Sequence, residues 1–123
     1  MTAFQLVVVF GMQALAAGLG LFCLLRFFQR ARDQVAIAFH LLAGLGAIEL
    51  LIGIIHMSDL DADSPVRALG MTAVKLFGVA AASGALTPFV GKRRRQLANV
   101  LLTVHVACAL SGVVATLMFV RQI

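Results

Sequence analysis

Residues 35–56 read VAIAFHLLAGLGAIELLIGIIH, an apolar run broken by one acid and two histidines. A hydrocarbon core of about 30 Å is crossed by about 20 apolar residues rising 1.5 Å each. This run has that length. So do residues 4–25, 66–90 and 97–120, and together the four account for nearly all of the 123-residue chain. The reading is an all-α, integral membrane four-helix bundle with short loops, a single transmembrane domain over residues 1–123.

Composition agrees. The chain is 62% hydrophobic and 12% charged, with mean hydropathy +1.04. A soluble domain carries roughly 25% charged residues. The net charge of +5 does not indicate nucleic acid, because the basic residues are confined to particular turns. Arg26, Arg30 and Arg32 follow the first span, and Lys92, Arg93, Arg94 and Arg95 follow the third. The middle linker carries Asp59, Asp61 and Asp63 instead. Short loops rich in Lys and Arg stay in the cytoplasm. Loops one and three are therefore expected inside, and both termini outside. The two basic loops share a side only if all four spans cross. These seven residues are read as topology anchors that meet anionic headgroups, in a bacterial-type cytoplasmic membrane.

A cleaved leader is the rival reading of the first span, since Ala14-Leu15-Ala16 has a small-x-small pattern. Residues 1–5 carry no basic side chain, and the run continues past that point to Leu25, so retention is expected. Cys23 and Cys108 are expected at depths about 14 Å apart, which disfavours a disulfide. No metal-ligand spacing occurs. Asp59-x-Asp61-x-Asp63 lacks the following Gly and closing Glu of a calcium loop. Ser64-Pro65 suits a helix start, and Pro88 is expected to kink the third span.

Small residues recur at four-residue spacing in every span: Ala16 and Gly20, Ala43 and Ala47, Gly78 and Ala82, Ala80 and Gly84, Cys108 and Gly112. Small faces let helices approach closely in lipid. Because all four spans carry them, some are expected to pack on another membrane protein chain or on a second copy. Trp and Tyr are absent, so the usual aromatic belt is missing.

Ionisable groups inside a membrane are functional candidates by default. One cluster is Glu49, Lys75 and Gln13, with His56 at the rim. Glu49 and Lys75 lie about 10 and 13 Å from the outer ends of neighbouring spans, so they can pair. The other set is His40 and His105, about 8 and 12 Å from the inner ends of spans two and four. Two histidines on diagonal helices can ligate one haem b iron, with Gly44 and Gly112 nearby making room. This resembles the respiratory cytochromes b, whose haems hang between the second and fourth helices. No Ser–His–Asp set, HExxH, P-loop or dinucleotide fingerprint is present.

Gly46-Ala47-Ile48-Glu49-Leu50-Leu51-Ile52-Gly53 resembles the Gly-x-x-Glu-Leu-Leu helix segment of small DoxX-like membrane proteins, also four-span chains. The Lys usual in that family after the first-span Gly is missing, so the resemblance is not adopted. It implies only a loosely defined membrane role, as a partner of a redox complex. Four-span multidrug exporters place their essential Glu in the first span, where this chain has Gln13. The Thr- and Phe-rich motif of the small fluoride channels is not found.

The expected function is non-enzymatic: a small accessory or interaction subunit, working as an oligomer or within a larger membrane complex. The alternative is a proton- or ion-coupled transporter or channel using Glu49 and Lys75. The third reading is a bis-histidine haem anchor.

Overall fold

Thr2 opens the first helix with a reciprocal pair of bonds. The Gln5 amide donates to Thr2 Oγ1 at 3.3 Å, and the Thr2 amide donates to Gln5 Oε1 at 2.8 Å. Such a capping box satisfies two amides that have no helical partner. The computed structural model describes residues 2–123. Among them are four helices and no strand: α1 (Ala3–Phe28), α2 (Gln34–Met57), α3 (Pro65–Val90) and α4 (Arg95–Val120). All four are long and apolar enough to cross a membrane. The chain is an all-α integral membrane protein.

Each turn is set by local chemistry. Arg30 takes a left-handed φ of 56° after α1, and the Ala31 amide reaches back to the Arg26 carbonyl at 2.9 Å. This is the Schellman closure, here without the usual glycine. Asp33 then starts α2 by accepting the Ala36 amide at 3.0 Å. Asp59 takes φ 45° after α2, and Arg67 Nη1 donates to the Leu60 carbonyl at 3.3 Å. Ser64 stands at the N-cap of α3 as expected, but its side chain makes no capping bond; Pro65 supplies the start instead. α3 runs unbroken to Val90 through Pro88, which has no amide to give the Gly84 carbonyl. α4 begins in the basic run with no side-chain cap at Arg94.

Packing divides the chain into two compact units, Met1–Leu50 and Leu51–Ile123. In the first, Val9, Gln13, Ala36, Ala43 and Ala47 are buried. Its helices meet where glycine faces a larger group. A Cβ on Gly20 would meet the His40 ring at 2.9 Å, and one on Gly46 would meet Met12 Cε at 2.9 Å.

The second unit has a more regular seam. A Cβ on Gly70 would lie 3.0 Å from the Phe119 ring, one on Gly112 2.9 Å from Phe77, and one on Gly84 2.6 Å from His105 Nδ1. The contacts step by seven residues in opposite senses along α3 and α4, so the helices are antiparallel. A ring sits on a glycine every two turns, and the helices take turns supplying it. Close packing of this kind replaces the hydrophobic drive that is missing between helices in lipid. Ser83, Thr87 and Thr116 are buried in the same unit and return their hydroxyls to carbonyls of their own helices.

Candidate functional site: polar groups within the spans

Glu49 belongs to the first unit and Lys75 to the second. Each is exposed on its own helix. Among the described residues, no hydrogen bond or ion pair within its own unit holds either group. Glu49 stands eight residues before the end of α2, and Lys75 ten residues after the start of α3. At 1.5 Å per residue those depths are about 12 and 15 Å. α2 and α3, at 24 and 26 residues, are each longer than a hydrocarbon core of about 30 Å, and both charges stand well inside them rather than at their ends.

Gln13 differs from these two. It is 6% exposed, among the buried residues of the first unit. His56 is exposed at the rim of α2, where its Nδ1 donates to the Ile52 carbonyl of the same helix at 3.0 Å.

The other two histidines join helices. His40 Nδ1 lies 2.9 Å from the Ala16 carbonyl of α1, and His105 Nδ1 lies 2.7 Å from the Ala80 carbonyl of α3. A carbonyl only accepts, so Nδ1 carries the proton in each ring, and in the neutral imidazole Nε2 is the acceptor nitrogen. The local designs are equivalent. In each unit a glycine receives the ring, and the carbonyl four residues earlier accepts the hydrogen bond from Nδ1: Ala16 and Gly20 under His40, Ala80 and Gly84 under His105. Both rings are half-buried.

Gly44 and Gly112, expected to make room for a haem beside the histidines, differ in their surroundings. Nothing lies within 4 Å of a Cβ on Gly44, and Gly112 receives the Phe77 ring. Sequence reasoning missed Gly20 and Gly84 as the seats of the two histidine rings. The signal was there: Ala16-x3-Gly20 and Ala80-x3-Gly84 are each followed, 20 or 21 residues later, by a histidine.

The seven basic residues expected to anchor the topology lie at helix ends and in the turns between them. Arg26 is half-buried, with Nη1 donating to Gln29 Oε1 at 3.5 Å. Arg30, Arg32 and Lys92, Arg93, Arg94 and Arg95 are exposed. Cys23 and Cys108 are free, half-buried thiols. Among the described residues no three His, Cys, Asp or Glu side chains come together as metal ligands would.

Comparison with protein-family models, with curated proteins and with solved structures gives no match. The DoxX-like segment around Glu49 gains no support from it.

Proposed function

We propose that the chain is a small, non-enzymatic accessory or interaction subunit of a bacterial-type cytoplasmic membrane, acting as an oligomer or within a larger membrane complex. One observation carries this reading: Glu49 and Lys75 stand exposed, well inside two helices long and apolar enough to cross a membrane. A charged side chain at the helix centre costs about 2.5–3.5 kcal/mol on insertion scales, more by other estimates. Such groups are tolerated when they face protein or a partner charge. An exposed pair of this kind therefore marks surface that another protein covers. The basic residues at the helix ends hold the cytoplasmic headgroups and fix orientation.

Mild-detergent purification from the native membrane tests the proposal. Further copies or a second protein are expected to travel with the tagged chain. A monodisperse monomer with nothing bound contradicts it.

A second reading, a haem b anchor, has its own observation. His40 and His105 each donate Nδ1–H to a backbone carbonyl, which is how ligating histidines are oriented and their tautomer fixed. Protein purified under haem-replete conditions tests it: a Soret band supports the anchor, and a colourless protein removes it.

A further inference from the structure

We propose that the partner covering Glu49 and Lys75 is a second copy of this chain, with Glu49 of one copy paired to Lys75 of the other. The proposal rests on the interaction-subunit reading and names its partner.

The exposed positions around each charge form a seam. On α2, Val35, Ala38, Leu42, Leu45 and Glu49 are all exposed, at alternating steps of three and four. On α3 the same alternation runs through Ala68, Thr72, Lys75, Val79 and Ala82, again all exposed. This 3.5-residue repeat is the pattern by which one helix packs along another. Beside Lys75 the α3 seam is low: nothing lies within 4 Å of a Cβ on Gly78, and Ala82 is one turn further on. A neighbouring helix can approach closely there.

Charge then selects the neighbour. Well inside the spans, beyond Arg67 at the first turn of α3, stand one acid and one base at nearly equal distances from the helix ends, each on an exposed face. Copies inserted in the same orientation bring Glu49 and Lys75 to one level. The side chains also lean together. Helical side chains tilt toward their own N-terminus. α2 and α3 run in opposite directions across the bilayer, so Glu49 tilts inward from about 12 Å and Lys75 outward from about 15 Å. A second copy satisfies both groups and leaves no net charge in the apolar layer.

Two differently tagged copies, co-expressed and extracted in mild detergent, test this. Wild-type copies are expected to co-isolate. Glu49→Lys with itself places Lys against Lys, and Lys75→Glu with itself places Glu against Glu, so each is expected to lose co-isolation by at least about tenfold. A Glu49→Lys copy mixed with a Lys75→Glu copy re-forms opposite pairs at both positions, and co-isolation is expected to return. A pair formed inside one chain predicts otherwise, since each variant keeps its own like-charge clash and mixing restores nothing. If a variant fails to accumulate alone, accumulation of both on co-expression is the readout: recovery supports the pairing, and no recovery overturns it. Wild-type copies that do not co-isolate also overturn it. A monomer that brings down a different protein overturns the pairing while leaving the interaction reading intact; a monomer that brings down nothing overturns both.

Discussion

A methyl group added at Gly84 would meet His105 Nδ1 at 2.6 Å, and one added at Gly20 would meet His40 Cε1 at 2.9 Å. At these two positions the absence of a side chain is what lets the helices meet. Gly84→Leu is therefore expected to destabilise the protein by about 1–3 kcal/mol, the usual cost of overpacking. Gly18→Ala, in open space on α1, is expected to be neutral or to stabilise by up to about 1 kcal/mol, because alanine is the better helix former. Thermal unfolding in one detergent compares the two, and equal midpoints would contradict the glycine seat. His105→Phe keeps a ring over Gly84 and removes the bond to Ala80. Its expected cost is about 0.5–1.5 kcal/mol, the net value of one hydrogen bond. Little of this detail was legible in the sequence. Ala16, Gly20, Ala80 and Gly84 stood out by spacing, but so did Gly78 and Ala82, and the latter face outward. In a helix apolar on all sides, polarity does not show which small residues are covered.

The four helices as elements were legible, because lipid imposes one length and one composition. Runs at 4–25, 35–56, 66–90 and 97–120 became helices that extend them by up to three residues at an end. The extensions come from capping chemistry that hydropathy does not register. Asp33 starts α2 one residue before the apolar run, and Arg26, Phe27 and Phe28 continue α1 beyond Leu25. Asp33→Ala removes the bond to the Ala36 amide, and the expected loss is about 1 kcal/mol. Ser64→Ala is expected to change stability little, since Ser64 makes no capping bond and Pro65 already fixes the start of α3. Denaturation of both variants against wild type checks this. An equal loss at the two caps would contradict the account of how these helices begin.

For the whole molecule, the distribution of charge carries the account. Lys and Arg cluster beyond α1 and α3, and three Asp residues lie between α2 and α3. In the proposed orientation, four crossings put both basic turns on the cytoplasmic side and Asp59, Asp61 and Asp63 outside. That alternation also brings Glu49 and Lys75 to one depth in every copy, which any pairing between copies requires. The position of each charge along its helix was legible from sequence. That each charge stands on an exposed side of its helix was not, since a lone charge in an apolar run does not say which way it faces. Labelling with a membrane-impermeant thiol reagent is the most direct test, using single cysteines placed at Arg32, Ala62 and Arg94 after Cys23 and Cys108 are replaced. In intact cells the account predicts labelling at position 62 and protection at positions 32 and 94 until the membrane is opened. Labelling at position 32 or 94 from outside would contradict it.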